Sequence, residues 1–372
     1  MKINTPTLLL DKEKCLKNIQ LMADKARRSG VFLRPHFKTH QSAQIGEWFR
    51  DSGIETITVS SLRMARYFAD HGWKDITVAF PVNFLEIDLI NELAAEIQLN
   101  LLVVNKESVQ ALQQHLRHKV NIWLKIDTGN RRTGIIANDH AAVEAILNEL
   151  DKHDKMKFAG FLSHDGHTYK QTDAEAIHTI HNTTVYLLNL LSRKFKDRYP
   201  DLQLSIGDTP SCSLVERFAG VDEIRPGNYV FFDLMQQQIG SCHFDQIAVC
   251  MACPVVALHP DRNEIILYGG SVHFSKEALV QENGDTVFGL IVELTENGWS
   301  APVDGMQLVS LSQEHGIVRA IADKFRKYKV GDIIGILPVH SCLTADNMKS
   351  FLTLEGEKLE HLSGLPQYMV SL

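Results

Sequence analysis

Little in this chain of 372 residues points toward a membrane, a nucleic acid or an oxidising compartment. No stretch approaches the roughly 18 consecutive apolar residues of a membrane-spanning helix. The start, MKINTPTLLLDKEK, lacks the apolar run of a secretion signal, so the cytoplasm is the expected location. Positive charge is not in excess: 38 Lys plus Arg stand against 45 Asp plus Glu, a net charge of −7 that argues against a polyanion as main partner. Cysteine is sparse. The six, at 15, 212, 242, 250, 253 and 342, are too few for a disulfide framework and are expected as reduced thiols. Several motifs are missing too: no G-x-G-x-x-G follows a first strand, and there is no P-loop, H-E-x-x-H or G-x-S-x-G. Dinucleotide redox chemistry and ATP hydrolysis therefore lose their support. What is present, 44% hydrophobic and 22% charged residues with only 11 prolines, is the material of a soluble globular protein with a sizeable core.

From residue 11 the chain alternates helix-period and strand-like segments. The first helix shows the logic: Asp11 can cap it, Leu16, Ile19, Met22, Ala23 and Ala26 form one apolar stripe, and Gly30 fits its end. Strand-like runs follow at 31 (VFLRPHFK), 54 (IETITVS), 75 (DITVAF), 97 (IQLNLLVV), 119 (KVNIWLKI), 156 (MKFAGFLS), 202 (LQLSIG) and 221 (VDEIR), with helical patterns in most gaps. Eight β/α units favour an α/β fold, a closed (β/α)8 TIM barrel over 11–240, rather than an open doubly wound sheet. After about residue 240 the texture changes to strands separated by Gly, Asn and Asp turns, with no convincing amphipathic helix. This predicts a β-rich C-terminal domain over 241–372, to which a strand in 1–10 is a possible addition.

The chemistry gathers at the strand ends. In LRPHFKTH (33–40), strand alternation would put Arg34, His36, Lys38 and His40 on one face, a cationic cluster suited to an anionic ligand and to a nucleophilic lysine. The fifth strand ends in KIDTGNRRTG, with Arg131 and Arg132; the sixth in SHDGHTY, with His164, His167 and Tyr169; the last two in SIGDTPSCS and EIRPGNYVFFD. Short Gly, Thr and Ser turns that lead into a helix present backbone N–H groups to an anion, and barrels commonly place phosphate after strands seven and eight. Each turn read singly is equally compatible with a structural role. In PVHSC, His340 and Cys342 are two apart and on an extended segment would point the same way, as zinc ligands must; a buried His beside an inert Cys is the alternative. Cys250 and Cys253 lie three apart in an apolar run and face opposite sides, so they are read as packing residues.

RPHFKTH, DTGNRRTG, HDGHTY, GDTPS, RPGNYVFFD and PVHSC, in this order across nearly the whole chain, resemble the D-threonine aldolase and D-serine dehydratase family, pyridoxal phosphate enzymes of the alanine-racemase-like fold type III. The resemblance implies a barrel, a C-terminal β-domain, a homodimer with active sites near the subunit interface, and a divalent metal, with zinc the expected ion, beside the cofactor. It places Lys38 at the Schiff base with pyridoxal 5'-phosphate, Arg132 near the phenolic oxygen, and His164 and Tyr169 beside the pyridine ring. The turns Gly207 to Thr209 and Gly227, Asn228 and Tyr229 match the phosphate cup, and His340 and Cys342 the metal pair. Many relatives have a lysine where this chain has Gln41, and the His-x-Cys pair follows the dehydratase branch rather than the aldolase branch.

The activity so implied is a lyase on D-3-hydroxy amino acids. One form is dehydration of D-serine to pyruvate and ammonia, with Lys38 taking the Cα proton; the alternative is D-threonine aldolase-type cleavage to glycine and an aldehyde. An amino acid racemase and a non-catalytic pyridoxal phosphate carrier are the further rivals. The partner expected is a small D-amino acid, with no nucleic acid and no membrane.

Overall fold

The computed structural model describes residues 2–281 and 283–362. The chain divides into two compact units. Among the described residues, one contains 20–38 and 46–227, and the other contains 2–19, 39–45 and 228–362.

The first unit is built on eight parallel strands: Phe32–Leu33, Thr56–Val59, Asp75–Pro81, Gln98–Val103, Val120–Asp127, Met156–Leu162, Gln203–Ile206 and Glu223–Ile224. They pair in chain order from the second to the eighth, and the eighth pairs with the first. Past Leu33 the ring is all but completed where Phe37 N donates to Thr58 O at 2.8 Å and Thr58 N to Pro35 O at 2.9 Å. This is the nearly closed (β/α)8 barrel that the alternation implied. The helices begin where the sequence supplies an acceptor: Ser61 caps Leu62–Asp70, Asn105 caps Lys106–His115, Asp139 caps His140–Leu150 and Asp173 caps Ala174–Phe195. One close approach demands glycine. A Cβ on Gly160 would meet Gln203 O at 1.9 Å, so the sixth and seventh strands pack backbone to backbone there.

The barrel interior is polar at the N-terminal ends of the strands and apolar further along. Arg34, just past the two-residue first strand, donates through Nε to Glu223 at 2.6 Å and through a terminal nitrogen to Asp75 at 2.5 Å, the first residues of their strands. Leu102, Trp123 and Leu162 then form a buried cluster with Ala79 and Ala159 packed against it. That cluster lies toward the C-terminal ends, where barrels carry their sites.

In the second unit one mostly antiparallel sheet runs in the order Glu264–Tyr268, His315–Ala320, Met306–Leu311, Gly289–Val292, Ile333–Pro338, Val249–His259, Thr7–Leu10, Ser350–Thr353, Lys358–Glu360. Val249–His259 also pairs with Glu264–Tyr268, which closes the first six strands on themselves. Thr7–Leu10 pairs antiparallel with Val249–His259 and parallel with Ser350–Thr353. The region shows no strongly amphipathic helix, as expected, but it is not all strand. Ser341–Met348 is an eight-residue helix, and Ser271–Phe274 and Ala322–Phe325 are single turns. All three are too short or too weakly periodic to leave an apolar stripe, so pattern reading passes over them. Among the described residues no helix is long and apolar enough to cross a membrane, and no disulfide forms.

Candidate active site

At the C-terminal mouth of the barrel a cavity of about 450 Å³ is lined by His36, Lys38, Lys125, Arg132, His164 and Arg225 on its polar side, and by Ala79, Phe80, Pro81, Leu102 and Leu162 on its apolar side. Among the described residues no carboxylate lines it. Four of the residues singled out in the sequence, His36, Lys38, Arg132 and His164, therefore meet here. The predicted four-cation face does not form as drawn. The chain is extended only as far as His36, which bridges to Thr58, and then turns over residues 37–40, so the period-two alternation stops short of Lys38. Arg34 is neutralised by Asp75 and Glu223, and His40 lies in the other unit, where its Nδ1 accepts from Ser42 N at 3.1 Å. Only His36 and Lys38 reach the cavity.

The two histidines of this wall are neutral in opposite tautomers. Burial, followed by the charge of Lys38, holds His36 well below the usual imidazole range, and burial followed by Lys125 does the same to His164. His36 Nδ1 accepts from Lys38 N at 3.3 Å, so its proton resides on Nε2. His164 Nδ1 bonds to the carbonyl of Gly207; a carbonyl only accepts, so here Nδ1 carries the proton and Nε2 is left as the acceptor. The first bond fixes the turn that presents Lys38. The second ties the cavity wall to the turn after the seventh strand.

That turn is tightly built. A Cβ on Gly207 would lie 2.9 Å from the backbone of Arg225, Asp208 caps the short helix Thr209–Leu214, and Tyr169 Oη accepts from Thr209 N at 3.3 Å. Thr209 Oγ1 and Ser211 Oγ are buried without a hydrogen-bond partner among the described residues. Two orphaned hydroxyls beside a glycine turn are what a phosphate would satisfy. Gly227 precedes a single turn, Asn228–Val230, in which Asn228 and Tyr229 are buried.

In the second unit His340 and Cys342 come together, although not on an extended segment as the sequence suggested. His340 is the N-cap of helix Ser341–Met348 and Cys342 sits in its first turn. Asp233 accepts from Ser341 N at 2.9 Å and Ser341 Oγ at 3.0 Å, anchoring the helix start. Asn228 Nδ2 approaches Cys342 Sγ at 3.4 Å, and Thr39 Oγ1 lies 3.4 Å from the same sulfur. Burial alone would lower the His340 pKa, but its hydrogen bond to Cys342, with the charges of Cys342, Asp233 and Glu277, raises it to about 9. Gln41, with φ of +45°, donates to Asp346 on the same helix at 3.0 Å.

The family model described as "Alanine racemase, N-terminal domain" matches residues 10–234, and that described as "Putative serine dehydratase domain" matches 248–354. The chain belongs to the alanine-racemase-like family of fold type III pyridoxal phosphate enzymes. It is 30% identical to a D-serine dehydratase of Dictyostelium discoideum, covering 95% of this chain and 94% of that one. The solved D-threo-3-hydroxyaspartate dehydratase from Delftia sp. HT23 superposes with a TM-score of 0.89 at 28% identity, over 98% of this chain and 99% of that one. A cysteine-to-alanine mutant of that enzyme, solved in the metal-free form, superposes with the same TM-score at 27% identity, covering 98% and 99%. This fold type III protein is accordingly a pyridoxal phosphate-dependent lyase.

The residues fit that cofactor: an acid-free cavity with a lysine at its wall, and buried hydroxyls without partners at a glycine turn. They also fit a metal in part. His340 Nδ1 is buried without a hydrogen-bond partner, and imidazole with thiolate suits zinc. Among the described residues, however, no cluster of three His, Cys, Asp or Glu side chains gathers to hold an ion.

Sequence reading missed Lys125 and Arg225 as lining residues. The signal was there. Lys125 shares strand parity with the buried Trp123, so it must point into the barrel, and Arg225 shares it with Glu223. Burial, with the nearby charges of Arg225 and Arg132, lowers the Lys125 pKa to about 7.

Proposed function

We propose that this protein dehydrates D-serine, or a closely related D-3-hydroxy amino acid, to a 2-oxo acid and ammonia, with pyridoxal phosphate held at Lys38. The observation that carries the reading is the cavity at the barrel mouth, where Lys38 stands among cations and neutral imidazoles with no carboxylate. When bound, pyridoxal phosphate supplies an electron sink conjugated to the substrate amine. The protein supplies the rest. Lys38 Nζ would take the Cα proton of the substrate, His36 holds the turn on which Lys38 sits, and Arg132 would hold the cofactor near its phenolic oxygen. His164 and Tyr169 would hold its ring. Gly207, Thr209, Gly227, Asn228 and Tyr229 contribute the phosphate cup, supported by the unsatisfied Thr209 hydroxyl.

His340 and Cys342 would hold a divalent metal, zinc by the softness of the pair, and such an ion supplies Lewis acidity for the leaving hydroxyl. The metal-free form of the relative's cysteine mutant supports this assignment. The same reading includes a homodimer in the cytoplasm, supported by the family resemblance and by the unbridged cysteines.

The test is product analysis. Protein with pyridoxal phosphate and zinc is incubated separately with D-serine, D-threonine and D-alanine. Pyruvate and ammonia from D-serine are expected. Glycine and acetaldehyde from D-threonine, without pyruvate from D-serine, would replace the reading with an aldolase. L-alanine would replace it with a racemase, and no turnover of any of them with a carrier.

A further inference from the structure

Four cationic side chains line the barrel cavity, and three have an occupation. Lys38 and Arg132 are committed to the cofactor in the reading above. Arg225 is held by protein, donating to Ser163 O at 2.6 Å and to Ser205 Oγ. Lys125 is different: it lines the cavity, is only 5% exposed, and has no hydrogen-bond or ion-pair partner among the described residues. A buried amine at a cavity wall without an acceptor costs free energy unless a ligand provides one.

We propose that Lys125 receives the substrate carboxylate, and that a proton enters the site with the substrate to convert its amine to the ammonium that binds. The proposal rests on the function above for the ligand's identity as a hydroxy amino acid. It draws on the surroundings of Lys125, each facing group of which favours the neutral amine or is spent elsewhere. Arg132 and Arg225 repel a proton at Nζ. His36 and His164 are neutral. Asp127 and Asp165 attract a proton but are committed: Asp127 accepts from Gly129 N and Arg131 N at 2.9 and 3.0 Å, and Asp165 from Thr128 Oγ1 and Thr184 Oγ1 at 2.9 and 2.7 Å.

The sign follows. Without ligand, Lys125 titrates near pH 7, so above that it is largely neutral. A carboxylate at Nζ favours the ammonium and raises its pKa, so binding takes up a proton above pH 7, and the uptake fades at pH 6, where the site is already protonated. The uptake is therefore larger at pH 8 than at pH 6.

The experiment is calorimetric titration of the holoenzyme with D-2-aminobutyrate, which has no β-hydroxyl to lose, in buffers of different ionisation enthalpy at pH 6 and pH 8. Protons released by the ligand's own amine are common to all variants, so the readout is the difference between wild type and K125M. A difference approaching one proton at pH 8, and little at pH 6, is expected. K125R, whose charge is permanent, should retain affinity within about threefold and show no such uptake. In kinetics K125M should raise KM for D-serine about tenfold or more, with kcat changed far less. Equal proton counts in wild type and K125M at pH 8 would overturn the proposal. So would a collapse of kcat at unchanged KM, which would make Lys125 a proton-transfer group. If K125M fails to fold, K125Q and K125R carry the same comparison. Because the calorimetric ligand cannot be dehydrated, failure of the proposed reaction and failure of the Lys125 proposal give separable results.

Discussion

The barrel mouth and the start of helix Ser341–Met348 are opposite in chemical character. The barrel cavity collects lysine and arginine, neutralises its imidazoles by burial and excludes carboxylates. The helix start pairs an imidazole with a sulfur, raises the imidazole pKa to about 9, and stations Asp233 close by. The difference teaches how one chain sorts two kinds of ligand. Anionic groups are drawn to the former, where parallel strands aim cationic side chains inward. Under the proposed function the latter would hold a soft cation, where a thiol is presented in the first turn of a helix.

Removing either region's key group sharpens this division, and the larger effect is expected at the helix. Cys342→Ala should lower zinc content to background and D-serine turnover on the order of a hundredfold, while the yellow absorbance of bound pyridoxal phosphate persists. Metal content by emission spectroscopy and visible absorbance on one sample check both halves. Loss of the yellow colour along with the metal would break the division. A smaller effect is expected at the phosphate turn. Gly207→Ala forces a Cβ to within 2.9 Å of the Arg225 backbone, so the turn must shift, and pyridoxal phosphate affinity should fall about tenfold with zinc content unchanged. Fluorescence titration with the cofactor reads the first, and unchanged affinity would remove Gly207 from the cup.

Much of the barrel was legible because its signals are local. Runs such as TITV and LLVV between capped helices report strands buried on both faces, and Ser61, Asn105, Asp139 and Asp173 announce helix starts by their own side chains. The first strand was less legible, since its last residues turn after His36 and no pattern in PHFKTH marks where alternation ends. Lys38 and Arg132 were legible as site residues from composition at strand ends. Lys125 was legible only in part: strand parity aims it into the barrel, but its importance comes from its surroundings, burial together with Arg132 in the turn after its own strand and Arg225 from the distant eighth strand's end. His340 and Cys342 were paired correctly for a mistaken reason. A helix N-cap and its second residue converge here, where strand alternation had been assumed.

The central claim is that, of the two lysines lining the barrel cavity, Lys38 bonds the cofactor and Lys125 does not. Reduction of the pyridoxal phosphate-loaded protein with sodium borohydride, followed by peptide mass mapping, tests it directly. The account predicts a pyridoxyl adduct on Lys38 in the wild type, and none on any lysine, with no yellow absorbance, in Lys38→Ala. An adduct on Lys125 in the wild type, or yellow absorbance that survives Lys38→Ala, would contradict it.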